Sequence, residues 1–279
     1  MAMKQGKKNQ QFHHKHSLGQ NFITDEALFA QLVDLSGVGA EDHVLEIGAG
    51  AGGMTKVLAK RCRKVVSIEV DSTLLPILKV ALHHCDNVEL VHGDVMRLNL
   101  QEITKPLGHF HVVANIPYYL TTDLMQLLLT GGLPIDSINV MVQAEAAQRM
   151  VARPGEEGWG MLAVRTQYAY RPQIVLDVPS CMFTPPPKVD SAFVTMQRRE
   201  KPAVQVQDEG MFFKVAKAAF AMRRKTMANN LIASFRISRE QAENWLAACG
   251  LEKNVRGETR SLQDFANLAD AYKDIEPAK

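Results

Sequence analysis

The sequence predicts an α/β protein with a mostly parallel seven-stranded sheet, followed by a small all-helical unit. Three observations carry this. Short β-branched runs alternate with helix-period segments from residue 43 onward. Gly48, Glu69, Asp94 and Asn115 each end a predicted strand, so a parallel sheet would gather them along one edge. After Met196 the strand pattern stops and helical periodicity takes over.

Residues 1–20 are polar, with Lys4, Lys7, Lys8 and Lys15, and read as a basic N-terminal arm. Asp25 to Ser36 places Ala27, Leu28, Leu32 and Leu35 at helical spacing and stops at Gly37. His43–Ile47 is a strand entering a glycine turn, and Met54–Arg61 the helix beyond it. Lys64–Ile68 is a strand ending at Glu69, Leu74–His83 a helix, and Val88–Val91 a strand ending at Gly93-Asp94. Phe110–Ala114 is a strand ending at Asn115, Thr122–Leu129 a helix and Ser137–Val142 a strand. Helices follow at 144–151 and 161–169, and strands Ile174–Val178 and Ala192–Met196 close the sheet. Residues 201–208 form a linker rich in Val and Gln. Phe212, Ala216, Ala219 and Phe220 then mark a helix that continues through Met227 and Leu231. Ser238-x-x-Gln241 is a capping-box pattern whose helix Gly250 stops, and Ser261 and Asp264 open a last helix. The units are therefore 1–20, 21–200 and 208–279.

Composition excludes several classes. Apolar residues make up 46% of the chain, which implies a folded core. Cys62, Cys85, Cys181 and Cys249 show neither disulfide nor metal-ligand spacing, which fits a reducing, cytoplasmic setting. No apolar run approaches a membrane span, and the Lys-rich start lacks the apolar core of a signal peptide. His13, His14 and His16 have no partnering cysteine, so no metal is expected there. The net charge of +2 hides an asymmetry: residues 198–239 carry ten basic and three acidic side chains, net +7. Such a block steers a polyanion toward the surface.

Gly48, Gly50 and Gly52 form a G-x-G-x-G turn between strand and helix, suited to close approach of a ligand to backbone. Two cofactor classes compete. Dinucleotide folds use G-x-G-x-x-G and set a pyrophosphate on the helix N-terminus. Here Gly52 comes one residue early, although Gly53 also fills the third position of that pattern, so the distinction rests on Glu46, which would repel phosphate but suit an ammonium group, as in S-adenosylmethionine. Glu69 can take two ribose hydroxyls in either class. Asp94 can accept from an adenine amine, or can simply form an Asx-turn after Gly93.

Asn115-Ile116-Pro117-Tyr118 fits methylation of an exocyclic base amine. The Asn115 side-chain oxygen and the Ile116 carbonyl accept the amine hydrogens, Pro117 fixes that carbonyl in extended geometry, and Tyr118 stacks on the base. Tyr119 reads as structural rather than direct. The prolines of Phe183-Thr-Pro-Pro-Pro-Lys188 would hold Phe183 over the other face of the base, or else form a rigid connection with Phe183 in the core. Arg223-Arg224-Lys225, on a helix with an apolar opposite face, together with Lys214, Lys217, Arg236 and Arg239, suits phosphate contacts to RNA.

Together these residues resemble the ribosomal RNA adenine dimethylase family, and within it the branch acting on the bacterial small subunit. The resemblance runs from Leu18-Gly-Gln-Asn-Phe-Ile23 to the C-terminal helices. It rests on Leu45-Glu-Ile-Gly-Ala-Gly50, Asn115-Ile-Pro-Tyr-Tyr119, Phe183-Thr-Pro-Pro-Pro-Lys-Val-Asp-Ser191 and Arg223-Arg-Lys-Thr-Met-Ala-Asn-Asn-Leu231. It implies a Rossmann-like class I methyltransferase fold with S-adenosylmethionine as cofactor. Asn21, Ile23, Glu46, Gly48, Gly50, Glu69, Asp94, Val95 and Asn115 would touch that cofactor; the family has Leu where Ile23 stands. Asn115, Ile116, Pro117, Tyr118 and Phe183 would serve catalysis, and Lys188, Lys217, Arg223, Arg224 and Lys225 would bind RNA. The implied substrate is a pair of adjacent adenosines in the 3′-terminal hairpin loop of 16S rRNA, each dimethylated on N6 late in small-subunit assembly. The enzyme is expected to be a monomer.

Overall fold

Alternation of strand and helix, each burying one face of its neighbour, produces a layered sheet here. The computed structural model of the protein describes Phe22, Ile23 and residues 25–274; the expected basic arm at 1–20 and Asn21 lie outside the described residues. In chain order the elements are β1 (Phe22–Ile23), α1 (Glu26–Ser36), β2 (His43–Ile47), α2 (Gly53–Arg61), β3 (Lys64–Glu69), α3 (Leu75–Ala81), β4 (Val88–His92) and α4 (Leu100–Thr104). There follow β5 (Phe110–Asn115), α5 (Thr121–Thr130), β6 (Ile135–Gln143), α6 (Ala144–Val151), α7 (Met161–Ala169), β7 (Tyr170–Val178), β8 (Phe183–Thr184) and β9 (Ser191–Arg198). The last four helices are α8 (Glu209–Ala219), α9 (Met227–Phe235), α10 (Arg239–Ala248) and α11 (Leu262–Asp270).

The main sheet runs β4-β3-β2-β5-β6-β9-β7, with β9 antiparallel to both its neighbours and the other pairs parallel. The expected seven-stranded α/β architecture is therefore present. The chain moves outward from β2 to β4 and then returns to lay β5 against β2. That reversal is the switch point where open α/β sheets bind ligands. Strand alternation sorts the core: Leu45, Ile47, Val66, Ile68, Val112 and Ala114 face one helical layer, while Val44, Val65 and Val113 face the other, with α1 and α2. The α1 start is fixed by Asp25, whose Oδ1 accepts from the amides of Ala27 (2.8 Å) and Leu28 (3.4 Å); its end is fixed by Gly37 in the left-handed region.

The helices after β9 do not close on themselves. Phe212, Val215, Trp245 and Phe265 share a core with Trp159, Ala163, Val164 and Tyr168, which belong to α7 and the segment before it. The Tyr168 and Phe212 rings stack at 4.9 Å, and Trp159 Nε1 donates to the Arg260 carbonyl at 3.0 Å. The expected capping box at Ser238 with Gln241 is present, and Ser261 with Asp264, expected to open the last helix, forms a second one.

Three features depart from expectation. The helix predicted to run from Phe212 through Leu231 is two helices, and Arg223-Arg224-Lys225 lies in the turn between them. Thr226 caps α9 by accepting from Asn229 N, and the buried Asn230 side chain donates to the Ala219 carbonyl (2.9 Å) at the end of α8. A capping threonine followed by a carbonyl-seeking asparagine favours this break over a continuous helix. α4 is an additional short helix. Finally, β1 pairs with β8, setting Phe22 opposite Thr184 and Ile23 opposite Phe183.

Candidate active site

The strand order sets the span of the site. Gly48, Glu69, Asp94 and Asn115 follow or end β2, β3, β4 and β5, so the four stand along one edge across three strand spacings, about 14 Å. They share a cavity of about 260 Å³, whose walls also include Gly50, Val95, Ile116, Pro117, Tyr118 and Phe183.

The glycine turn is held from below. Gly48 N donates to the Ile68 carbonyl at 2.9 Å, and Gly50 N donates to Glu69 Oε2 at 2.8 Å. The other Glu69 oxygen accepts from Asp71 N at 2.8 Å. Burial raises the Glu69 pKa, and the backbone donors from Asp71, Gly50 and Val70 oppose the rise. Each carboxylate oxygen retains lone-pair capacity toward the cavity. Gly48 has φ +86, a conformation that side chains resist, and a Cβ there would project to within 3.5 Å of the Asn115 carbonyl. The bare turn thus leaves the space between β2 and β5 open to a ligand.

Glu46 requires a correction. It was expected to face the ligand, but strand alternation turns its side chain to the α2 side of the sheet, where it is 1% exposed and does not line the cavity. Its Oε2 accepts from Thr55 Oγ1 and Ser67 Oγ, both at 2.6 Å. Burial pushes its pKa up to about 7 despite these two hydroxyl donors. Its position makes it a brace beneath the turn.

Asp94 forms the expected Asx-turn and also stands on the cavity wall. Its Oδ1 accepts from Met96 N at 3.0 Å, an Asx-turn, and its Oδ2 lies 3.4 Å from Arg97 Nε, yet the residue still lines the cavity. Val95 is buried beside it, and Ile23 is buried in β1 among the α1–α2 layer. Asn21 lies outside the described residues.

At the far end, Ile116 N continues the ladder by donating to the Met141 carbonyl at 3.1 Å. Pro117 adopts φ −55 and ψ 132, and a single 3-10 turn, Tyr118–Leu120, leads straight into α5. The Tyr118 hydroxyl hydrogen-bonds Ser191 Oγ at 2.7 Å, and burial raises the phenol pKa, so it stays protonated at neutral pH. Phe183 is 3% exposed in a core with Ile23, Leu28 and Phe193, as a rigid connection would place it, and it also lines the cavity. Tyr119 departs from its structural reading, being 64% exposed on the cavity wall. Sequence reasoning also passed over Phe22, whose ring approaches Gly50, and Ser191, which anchors Tyr118. Both stand inside quoted motifs, and that was the available signal.

The expected RNA contacts lie on exposed surface rather than in the cavity. Lys188 is in the proline-rich connection before β9, Lys217 is in the last turn of α8, and Arg223, Arg224 and Lys225 are in the α8–α9 turn. Arg256 donates to the Arg223 carbonyl, which helps shape that turn. Lys214 instead lies over the Phe235 ring at 4.7 Å, and Arg239 donates to Asn229 Oδ1 at 3.0 Å. Among the described residues no cluster could hold a metal ion, and no helix is long and apolar enough to cross a membrane.

Comparison with known proteins agrees with this geometry. The chain is 42% identical over 267 residues to ribosomal RNA small subunit methyltransferase A of Geobacillus thermodenitrificans, covering 93% of this chain and 91% of the relative. It is 41% identical over 271 residues to the protein of that name from Staphylococcus haemolyticus, covering 95% and 92%. Among solved structures, the 23S rRNA methyltransferase ErmE is similar with TM-score 0.71 and 26% identity, covering 91% of this chain and all of the other. A dimethyladenosine transferase from Plasmodium falciparum shares the fold, with TM-score 0.75 and 22% identity over 90% and 97%. A family model described as ribosomal RNA adenine dimethylase matches residues 11–274. With the switch-point cavity, the glycine turn and the Asn115–Tyr118 loop in one place, the chain belongs to the ribosomal RNA adenine dimethylase family, S-adenosylmethionine-dependent methyltransferases of rRNA.

Proposed function

We propose that this protein dimethylates the N6 amines of two adjacent adenosines in the 3′-terminal hairpin loop of 16S rRNA, acting as a cytoplasmic monomer late in small-subunit assembly. The observation that carries this reading is the Asn115–Tyr118 loop at the end of β5, beside the glycine turn of β2, in one cavity. The higher identity to small-subunit enzymes, 42% against 26% for the 23S enzyme, favours the small subunit as substrate.

Residues 21–200 act as the methyltransferase unit, and 208–279 orient the RNA. S-adenosylmethionine, when bound, supplies an electrophilic sulfonium methyl. Glu69 takes the ribose hydroxyls, Asp94 and Val95 take the adenine end, and Gly48 and Gly50 leave room for the backbone to approach. Ile23 closes the side next to Phe22. The target adenine leaves its stack and enters beside Asn115. Its amine donates to the Asn115 side-chain oxygen and to the Ile116 carbonyl, to which no described residue donates. Those two acceptors draw the nitrogen lone pair out of conjugation with the ring and aim it. Tyr118 and Phe183 hold the two faces of the base, and alignment is the main catalytic contribution. As the new N–C bond forms, the methyl's bond to sulfur would break with its electron pair leaving on a neutral thioether, and the amine's proton would pass to solvent. A second transfer needs the monomethylated amine to rotate so that its remaining hydrogen meets an acceptor. Lys188, Lys217, Arg223, Arg224 and Lys225 hold phosphates without reading sequence.

Mapping label from radioactive S-adenosylmethionine on under-methylated small subunits tests the reading. Two neighbouring dimethylated adenosines near the 3′ end of the small-subunit rRNA are expected; label only in large-subunit rRNA would overturn it.

A further inference from the structure

Tyr119 differs from the other aromatic residues at the cavity. Phe183 is buried and Tyr118 is half-buried with its hydroxyl on Ser191, whereas Tyr119 is 64% exposed and still lines the wall. A residue that lines the wall and is mostly exposed stands at the mouth of the site. Its backbone is not free to wander: Tyr119 sits in the 3-10 turn Tyr118–Leu120, where Leu120 N donates to the Pro117 carbonyl at 2.9 Å, and α5 begins immediately after. Single exposed apolar side chains are ordinary on protein surfaces. The position of this one is not ordinary, because it adjoins the residue that holds the target base.

A base drawn out of a strand leaves its neighbour with one uncovered face. Exposed aromatic rings are sequence-tolerant platforms for such bases. We propose that Tyr119 stacks against the unpaired purine next to the target base and so sets which nucleotide of the strand enters the cavity. The inference rests on the reading given under Proposed function: with two adjacent adenosines as substrate, the one waiting outside lies against Tyr119 while the other is inside. Tyr119 is then a positioning residue, acting through the strand and not on the reacting amine.

The test compares the full-length wild-type protein with Tyr119→Ala and Tyr119→Phe on under-methylated small subunits. KM for subunits, KM for S-adenosylmethionine and the division of methyl groups between the two adenosines are measured. Tyr119→Ala should raise KM for subunits about ten-fold, leave KM for the cofactor within two-fold, and shift methylation toward one adenosine. Tyr119→Phe should restore both the KM and the wild-type division. Wild-type behaviour by Tyr119→Ala overturns the inference. So does equal impairment of the two variants, which would assign the effect to the hydroxyl, and so does loss of cofactor affinity, which would make the ring part of the cofactor wall. A wild-type protein that labels no small-subunit adenosine overturns the underlying reading itself, which separates the two failures.

Discussion

The carboxylates beneath the glycine turn and the cations of the α8–α9 turn are handled in opposite ways. Glu46, Glu69 and Asp71 are each at most 4% exposed, and their oxygens accept from hydroxyls or backbone amides. Arg223, Arg224 and Lys225 stand in water on a turn whose shape is set from underneath by buried Asn230. A small ligand must be met at fixed distances, so the turn that meets it is braced by immobilised, desolvated groups before it arrives. A polyanion is gathered by field, which tolerates mobile side chains but weakens with salt. Asn115 and Tyr118 lie where the two strategies meet.

The sharpest way to test this division is to remove the junction. Asn115→Ala should lower the single-turnover methylation rate on the order of 10³-fold. Cofactor affinity, to which Asn115 also contributes, should fall by far less than the rate, and subunit affinity should stay within a few-fold, as read by equilibrium binding. Equal loss of rate and cofactor affinity would instead place Asn115 in the cofactor half.

A second test concerns the cost of the buried carboxylates. Glu46 ionises near 4.5 when unfolded and near 7 in the folded protein, so the folded state holds the proton more tightly. Its stabilising contribution is fully present below pH 4.5, falls as pH rises through 7, and is absent above. The loss is about 3 kcal/mol by linkage. Glu46→Gln should therefore gain about that much relative to wild type between pH 5 and pH 8 in urea unfolding. A difference that does not change with pH would mean the folded protein carries the charge without penalty.

The smallest effect belongs to the exposed region. Arg224→Glu should weaken subunit binding about ten-fold at physiological salt and flatten the dependence of affinity on salt. Cofactor affinity should not move. Losing both affinities together would erase the contrast between the regions.

Periodicity and strand-end chemistry made the sheet and its ligand-binding edge legible in the sequence. Strands of five or six residues, each with β-branched residues among them and with Glu69, Asp94 and Asn115 at or just beyond their ends, leave few alternative arrangements. Glu46 was misread because its chemistry was considered without its parity: it shares a face with Val44, which points away from the cavity. The break at Arg223 was hidden because residues on both sides carry the same apolar period, and only Thr226 and Asn230 mark the interruption. The pairing of β1 with β8 joins residues 160 positions apart over two-residue strands, too short for any local pattern. Tyr119 reads as structural in the sequence because residue type alone does not tell an exposed ring from a packed one, and its exposure is set by the 3-10 turn that holds it.

The shared core of α7 with α8–α11 bears on engineering. Grafting the C-terminal helices of a relative onto this sheet would join foreign side chains to Trp159, Val164 and Tyr168. A chimera cut in the 201–208 linker should therefore aggregate or melt early, while one that carries α7 along should keep its seam intact. For anyone seeking to redirect this scaffold to another RNA, the unit of exchange begins at about residue 159, well upstream of the apparent linker.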